Sequence, residues 1–357
     1  MTDGAGSATR TVGPGGGPAG VPLAIALSPI LAARYRSRDL DRVRAAAPGA
    51  RIISLSTEGL ADAPLEEVEV LLRGWLSGDA FDRLLARAPR LAWVHSATTG
   101  VERALTPAAR ERGIVITNAR GVFSRPIAEY VLMMILAVSR RLPQLLELQR
   151  ERTWQPLEGA ELRDVTVGIV GLGSIGRAVA GLAGAFGCRV VAMRRRMDAS
   201  TEDPAADADG GAVSELRLDR VLGPDGLSEL LGESDFVVLA APLTPETEGM
   251  IGEAALSAMK PGSWLINVAR GRLVDERALL RALRAGPMGG AVLDTFADEP
   301  LAPDSPFYDI DNVIVTPHTS WSSARVLDRS VELFCQNLRR YATGAPLVNV
   351  VDPSAGY

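Results

Sequence analysis

The feature of this sequence that most restricts its fold is a series of short, continuous apolar runs in its second half. Helices are predicted between these runs, over residues 174–185, 227–232, 253–259 and 276–284. The runs themselves are VTVGIVG, RVVAM, DFVVLA, SWLINV, GGAVLDT and NVIVTP. Strands that are apolar on both faces and alternate with helices are typical of a parallel sheet covered on both sides. The second half therefore predicts an α/β domain with a doubly wound parallel sheet.

The first half of the chain shows a similar alternation of predicted strands and helices. Five β-rich runs, LAIAL, RIISL, VEVLLRG, LAWVHS and GIVIT, are separated by segments with a helical period, such as residues 79–88. A last helical segment, residues 324–342, follows the second zone, and its pattern indicates a chain that returns to pack on the first domain. The length of 357 residues is enough for two domains of roughly 100–200 residues each.

Two segments are expected to lie outside the α/β domains, and two apolar stretches need to be distinguished from a signal peptide and a membrane span. Residues 1–20, rich in Gly and Pro, predict a disordered tail, and residues 198–212 predict an acidic loop. The apolar stretch 21–33 contains two prolines and lacks a convincing cleavage site, which favours a buried first strand over a signal peptide. The apolar run 131–138 is far shorter than the about 20 residues of a membrane span.

The composition restricts the kinds of binding partner and the cellular location that we expect. The formal net charge of −5 argues against nucleic acid or an anionic membrane surface as the main binding partner, since both bind basic protein surfaces. Two cysteines, Cys188 and Cys335, make no disulfide framework, so a reducing, cytoplasmic location is expected. No metal site is predicted. The chain has only two histidines, His95 and His318, so any histidine chemistry must use one of them.

Residues 171–176, GLGSIG, match the pattern G-x-G-x-x-G between a predicted strand and a predicted helix. Gly171 would permit the tight turn, Gly173 the close approach of backbone to a pyrophosphate, and Gly176 the packing of helix on strand. The helix N-terminus would face the phosphates. A tight turn without a ligand is the alternative, but the strand–loop–helix setting favours a dinucleotide site.

The end of the next strand indicates which dinucleotide binds. NAD sites place an acid there to bind the ribose 2′-hydroxyl, whereas this strand ends in Arg194, Arg195 and Arg196. Guanidinium groups bind a 2′-phosphate bidentately, and a carboxylate would repel it. The sequence thus predicts NADP(H) in preference to NAD(H). Three solvated arginines are the alternative, because every basic residue except Lys260 is an arginine.

Three complementary side chains follow three successive predicted strands. Arg270 lies in NVARGRLVDE, Glu299 in DTFADEPL and His318 in VIVTPHTS. Ligands of parallel sheets bind at the carboxyl ends of the strands, so all three groups are expected to face a nicotinamide ring. A histidine can exchange a proton near neutral pH, a carboxylate can fix its ring, and an arginine can bind an anionic substrate.

The longest motifs, ELRDVTVGIVGLGSIGR, SDFVVLAAPLTPETEGMI, ALSAMKPGSWLINVARGRLVDERAL, GGAVLDTFADEPL and NVIVTPHTSWSS, resemble those of one family. It is the D-isomer-specific 2-hydroxyacid dehydrogenase family, which includes glyoxylate/hydroxypyruvate reductases. The resemblance covers residues 21–350 and implies two Rossmann-like domains. A substrate-binding domain would comprise residues 21–121 plus 319–357, with an NAD(P)-binding Rossmann domain, residues 122–318, inserted into it. It also implies a homodimer built largely by the cofactor domains.

The resemblance assigns roles residue by residue. Arg270 would bind the carboxylate and carbonyl oxygen of a small 2-oxo acid, His318 would be the acid/base, and Glu299 its partner. The other expected contacts are pyrophosphate with Ser174 and Ile175, the adenosine half with Ala241, Pro242 and Thr247, the nicotinamide with Val268 and Ala269, its carboxamide with Asp294, and the substrate carboxylate with the backbone of Thr99, Gly100 and Val101. The implied reaction is NADPH-dependent reduction of a 2-oxo acid to a D-2-hydroxy acid.

Departures from the family pattern restrict the reaction. Formate-oxidising relatives have Gln where Glu299 stands, and phosphite-oxidising relatives use a lysine in the substrate loop, which reads SATTG here. The only lysine, Lys260, is predicted on a surface helix. His95 is expected to be packed rather than catalytic, and Trp75, Trp321 and Arg73 either shape the pocket or pack.

Two other functions use the same fold. A cofactor-gated binding protein of the corepressor type would keep the three site residues without turning over substrate, but no long partner-binding extension is evident. A reductase acting on a bulky 2-oxo acid would differ only in its substrate.

Overall fold

The computed structural model describes residues 23–56, 60–61, 63–74, 76–197, 216 and 218–356. The chain divides into two compact units, one made of residues up to Val122 together with those from Ala324 onward, the other of Phe123–Ser323. The predicted tail, the acidic loop 198–212 and Trp75 lie outside the described residues. No helix within the described ranges is long and apolar enough to cross a membrane.

Unit 1 contains a five-stranded parallel sheet with the order β2-β1-β3-β4-β5. The strands are β1 (Ala24–Leu27), β2 (Arg51–Ser54), β3 (Val68–Arg73), β4 (Trp93–Ser96) and β5 (Val115–Thr117). The helices between them are α1 (Pro29–Arg34), α2 (Ser37–Ala46), α3 (Gly78–Arg87) and α4 (Pro107–Glu111). Apolar residues cover both faces of the sheet because Phe81 and Leu84 of α3 belong to one buried cluster, whereas Val43 of α2 belongs to another.

Unit 2 contains a seven-stranded parallel sheet, the insert in this fold. Its strands are β6 (Thr166–Val170), β7 (Arg189–Met193), β8 (Arg220–Leu222), β9 (Phe236–Leu239), β10 (Trp264–Asn267), β11 (Gly290–Leu293) and β12 (Val313–Val315). The order β8-β7-β6-β9-β10-β11-β12 is the Rossmann order with one added strand. The order reverses between β6 and β9, and ligands of such sheets bind beside the carboxyl ends of strands at this switch point.

Helices cover both faces of the unit 2 sheet. They are α5 (Ser124–Ser139), α7 (Ser174–Ala185), α8 (Leu227–Glu233), α9 (Glu253–Ser257) and α10 (Glu276–Ala285). A further helix, α6 (Leu142–Arg150), follows α5 and has no buried residue. Val131 of α5 and Ala180 of α7 are buried in one apolar cluster, while Leu231 of α8 and Leu279 of α10 are buried in the other. The last helix of the chain, α11 (Val326–Thr343), belongs to unit 1 and contributes Phe334 to its core.

The structure confirms the predicted fold class, two doubly wound parallel α/β sheets with the cofactor-type unit inserted. It differs from the sequence-based prediction in detail. Strand β8 was not predicted, because it has only three residues and begins with the charged Arg220, so that no continuous apolar run marks it. The prediction that Lys260 lies on a surface helix is wrong, because α9 ends at Ser257 and Lys260 lies in the following turn, where its Nζ is 2.6 Å from Asp235 Oδ1.

Candidate active site

The glycine loop joins β6 to α7 as the sequence predicts, and each glycine has a distinct steric reason. Gly171 has a φ of +103°, and a Cβ there would lie 2.7 Å from backbone atoms of Ala241. A Cβ on Gly176 would lie 2.1 Å from the carbonyl oxygen of Gly171. A Cβ on Gly173 would meet nothing within 4 Å. The first and third glycines thus allow close packing, whereas the second leaves open space beside the loop.

This open space fits a pyrophosphate. Gly173 is the N-cap of α7 and has no side chain to occupy the first amides of the helix, which include those of Ser174 and Ile175. Unsatisfied amides and the helix dipole make such an N-terminus a favourable place for an anion. The site can therefore hold a dinucleotide through the same loop that the sequence indicated.

The loop after β9 lies against the glycine loop and is closed by its own hydrogen bonds. The Thr247 hydroxyl donates to the carbonyl oxygen of Pro242 (2.7 Å) and accepts from the amide of Thr244 (2.8 Å). The pKa of the exposed Glu246 carboxyl is lowered, first by the hydrogen bond from Thr244 and, more weakly, by the charge of Arg195. Arg194 follows the end of β7, and its amide donates to the carbonyl oxygen of Leu222 in β8.

A turn held by Asn267 positions Arg270 after β10. The buried Asn267 amide donates to the carbonyl oxygen of Arg270 (2.9 Å) and accepts from the amide of Ala269 (3.1 Å). The next residue must be glycine, because a Cβ on Gly271 would lie 1.9 Å from the backbone of Phe296. This close approach brings the loop after β10 against the loop after β11, which carries Glu299. Val268 and Ala269 are buried in the same turn.

Glu299 and His318 form the central pair of the site. His318 Nδ1 lies 2.8 Å from Glu299 Oε2, and both side chains are about one-third exposed. Glu299 Oε1 accepts from the amide of Phe296 (3.1 Å). His318 has a φ of +49°, a conformation that is costly for a residue with a Cβ. Its carbonyl oxygen accepts from the Trp321 indole (2.7 Å), which helps to hold it there.

The electrostatics of this pair favour an ionised carboxylate. Burial raises the pKa of Glu299, whereas hydrogen bonds from His318 and from the Phe296 amide lower it. The positive charges of His318 and Arg270 also lower it, so the pKa of Glu299 lies below its ordinary value. Three residues predicted from separate motifs are therefore close enough to share one electrostatic environment.

Asp294 is fully buried and bonded by the loop after β12. Its Oδ1 accepts from the Thr316 hydroxyl (2.6 Å) and the Thr319 amide (2.8 Å), and its Oδ2 accepts from the Ser320 amide (3.0 Å). The Tyr130 hydroxyl of α5 lies 2.6 Å from Thr316 Oγ1. Sequence reasoning singled out Asp294 but missed Tyr130 and Thr316, since only the fold brings these positions together.

The predicted substrate loop belongs to unit 1 and follows β4. The carbonyl oxygens of Thr99 and Gly100 accept from Asn118 and Thr98, and that of Val101 accepts from two amides further along the chain. The amides of Thr99, Gly100 and Val101 have no acceptor among the described residues. Three successive amides in this state can bind a carboxylate.

His95, which the sequence predicted to be packed, and Arg73, whose role it left open, are both buried in unit 1. His95 is completely buried on β4, with its Nδ1 2.8 Å from Thr117 Oγ1 and its ring beside Phe334. Arg73 is buried at the end of β3, where its guanidinium donates to the carbonyl oxygens of Leu76 and Arg103.

Comparison with known proteins identifies the family. Residues 132–320 match the family model described as "D-isomer specific 2-hydroxyacid dehydrogenase, NAD binding domain". A glyoxylate reductase from Thermococcus gammatolerans is 36% identical over 289 residues, which cover 78% of this chain and 80% of the relative. A D-3-phosphoglycerate dehydrogenase from Mycobacterium bovis is 37% identical over 83% of this chain, which spans about half (53%) of that longer relative.

Two solved structures are also similar to this chain. A D-isomer specific 2-hydroxyacid dehydrogenase from Xanthobacter autotrophicus, in complex with NADPH and MES, aligns with a TM-score of 0.78 and 29% identity over 94% of this chain and 100% of its own. An NADPH-dependent glyoxylate/hydroxypyruvate reductase from Sinorhizobium meliloti aligns with a TM-score of 0.76 and 28% identity over 94% and 100%. The chain belongs to the D-isomer-specific 2-hydroxyacid dehydrogenase family, whose members are NAD(P)-dependent oxidoreductases.

Proposed function

We propose that this protein reduces a small 2-oxo acid to a D-2-hydroxy acid with NADPH. The observation that carries the proposal is the His318–Glu299 pair, 2.8 Å apart, with the charge of Arg270 acting on the same carboxylate. The relatives named glyoxylate reductase and glyoxylate/hydroxypyruvate reductase support a small 2-oxo acid as substrate. When bound, the dihydronicotinamide supplies the hydride that C2 of the oxo acid accepts.

His318 supplies the proton in this proposal. Its Nδ1 is engaged by Glu299, which leaves Nε2 as the ring nitrogen that protonates the carbonyl oxygen of the substrate. The ionised Glu299 fixes the ring orientation and stabilises the positively charged ring before transfer. In the reverse direction the neutral ring accepts the proton from the hydroxy acid.

Arg270 is proposed to bind the substrate anion. The planar guanidinium of Arg270 can bind the carboxylate and stabilise charge that develops on the carbonyl oxygen. The amides of Thr99, Gly100 and Val101 are proposed to bind the substrate carboxylate, since they have no acceptor among the described residues.

Arg194 and Arg195 are proposed to bind the 2′-phosphate, which makes NADP(H) the preferred cofactor and NAD(H) the weaker one. The arginines follow β7 at the position where an acid would bind the ribose of NAD. The two solved relatives described above carry NADPH or NADP. The remaining contacts are proposed as the resemblance implies, with Ala241, Pro242 and Thr247 at the adenosine half and Val268, Ala269 and Asp294 at the nicotinamide end.

The test is a set of initial rates with NADPH and NADH on glyoxylate, hydroxypyruvate, pyruvate and phenylpyruvate. We expect turnover with NADPH, and replacement of His318 by Ala should lower kcat by about 100-fold or more. Binding of NADPH to His318→Ala, measured by fluorescence, should be unchanged. Unchanged turnover in this variant would remove His318 from the mechanism. Cofactor binding without turnover on any 2-oxo acid would instead favour a cofactor-gated binding protein.

The same assay tests the cofactor preference. Arg194→Asp should shift the kcat/KM ratio towards NADH, because the carboxylate repels the 2′-phosphate and accepts from a ribose hydroxyl. Arg163→Asp is the matched control, since it makes the same charge change at an exposed position before β6. An equal effect of both variants would mean that net charge, not Arg194 itself, sets the preference.

We also propose that the protein is a homodimer formed through unit 2. Helix α6 has no buried residue, and its Leu142, Leu145 and Leu146 are exposed. A second copy of this chain is the proposed partner that covers them.

A further inference from the structure

A line of hydroxyl groups connects α5 to the loop that carries His318. Tyr130 lies on α5, Thr316 directly follows β12, and Asp294 directly follows β11. A carboxylate oxygen can only accept, so the Thr316 hydroxyl donates to Asp294 Oδ1. The Thr316 oxygen must then accept from the Tyr130 hydroxyl. The direction of both hydrogen bonds is therefore fixed by chemistry.

Asp294 also accepts hydrogen bonds from the turn around His318. The Thr319 amide donates to Oδ1 and the Ser320 amide to Oδ2, so two backbone groups beside His318 depend on the orientation of one carboxylate. His318 itself has a positive φ, a conformation that the surrounding loop must hold. An Asp294 that rotated about its side chain would release both amides.

Tyr130 is suited to hold the Asp294 carboxylate in one orientation through Thr316. Its side chain is only 9% exposed, and burial raises the pKa of its hydroxyl to about 12. The group therefore remains a hydrogen-bond donor throughout the neutral range. Donors in series that end on a carboxylate polarise one another and strengthen each bond.

We propose that Tyr130 and Thr316 are positioning residues that hold Asp294, and through it the His318 turn, in the geometry needed for proton transfer. The inference rests on the proposed role of His318 as the acid/base. It assigns a function in catalysis to a helix residue that lies 188 positions before His318 in the chain. Neither residue is proposed to touch the substrate.

The test compares Tyr130→Phe and Thr316→Val, which remove one hydroxyl each with little change in shape, with Thr316→Ser, which keeps the hydroxyl. Tyr308→Phe, which removes the hydroxyl of an exposed tyrosine, is the control. Hydrogen exchange of the Thr319 and Ser320 amides is measured on the protein without substrate. Steady-state rates are measured across the pH range for each variant.

We expect Tyr130→Phe and Thr316→Val to speed exchange at both amides and to lower kcat about tenfold, with KM for the oxo acid nearly unchanged. The double variant should be no slower than Thr316→Val, because both changes break one line of bonds. Thr316→Ser and Tyr308→Phe should behave like the unmodified protein. A lower melting temperature with unchanged exchange, kcat and pH profile would overturn the inference.

The exchange measurement separates the two proposals. If His318→Ala retained full turnover while Tyr130→Phe still speeded exchange at Thr319 and Ser320, the positioning of the turn would stand and its role in catalysis would fail. If His318→Ala abolished turnover and Tyr130→Phe changed neither exchange nor kcat, the proposed function would stand and this inference would fail.

Discussion

At the scale of single residues, the two histidines have opposite surroundings. His318 pairs with an ionised carboxylate, whereas His95 is completely buried beside Trp93 and Phe334. Burial lowers the pKa of His95 to about 3, because a charged ring would lose its hydration there. The folded protein therefore disfavours a charge on His95.

The burial of His95 predicts a specific loss of stability in acid. An unfolded chain protonates this histidine below about pH 6.5, whereas the folded protein resists protonation until about pH 3. Because the unfolded state binds the extra proton in this window, His95 should lower the free energy of unfolding by about 1.4 kcal/mol per unit of falling pH. Urea unfolding at several pH values measures this slope.

His95→Asn is the matched variant. The Asn side chain can donate to or accept from the Thr117 hydroxyl, which lies 2.8 Å from His95 Nδ1, but it does not titrate. The variant should be less stable overall, yet its stability should fall less steeply between about pH 6 and 4. Above about pH 7.5 the two curves should run parallel, since His95 is neutral in both states there. Equal slopes in the acid range would mean that His95 is not the titrating group.

At the scale of an element, two glycines of the β6–α7 loop are expected to have different roles, Gly173 in cofactor binding and Gly176 in stability. A methyl group on Gly173 enters open space, so Gly173→Ala should fold normally and weaken NADPH binding by about tenfold or more through obstruction of the pyrophosphate. A methyl group on Gly176 would overlap the carbonyl oxygen of Gly171, so Gly176→Ala should lower stability by about 1–3 kcal/mol. Thermal unfolding without cofactor and NADPH titration separate the two effects.

Each variant is the control for the other. Equal loss of stability in both would mean that the space beside Gly173 is not open in solution. Unchanged NADPH affinity in Gly173→Ala would place the pyrophosphate elsewhere.

Elements with a local signal could be predicted from the sequence. The apolar runs predict every strand from β1 to β12 except β8. These strands are rich in apolar residues, and most of them are fully buried. The glycine loop and the His318, Glu299 and Arg270 motifs are also local. Strand β8 and the link from Tyr130 to Thr316 have no such signal, since β8 is a three-residue strand that begins with an arginine and a contact across 186 positions depends on the fold.

At the scale of the whole molecule, α6 has an apolar surface that remains exposed among the described residues. Leu142, Leu145 and Leu146 occupy positions i, i+3 and i+4 of one helix face and are 39–45% exposed. Trp154 follows in an extended segment and is fully exposed. A short helix gains most of its stability from packing, so this face requires a partner surface.

A second copy of this chain is the partner we propose, and a charge on the leucine face should separate the two copies. Each leucine that becomes buried contributes about 1.5–3 kcal/mol, so Leu145→Glu combined with Leu146→Glu should yield a monomer at micromolar concentration. Gln144→Glu adds one negative charge to α6 outside the leucine face and should remain dimeric. Sedimentation velocity gives the mass of each variant. A monomeric unmodified protein, or a leucine variant that stays dimeric, would show that this face is covered in some other way.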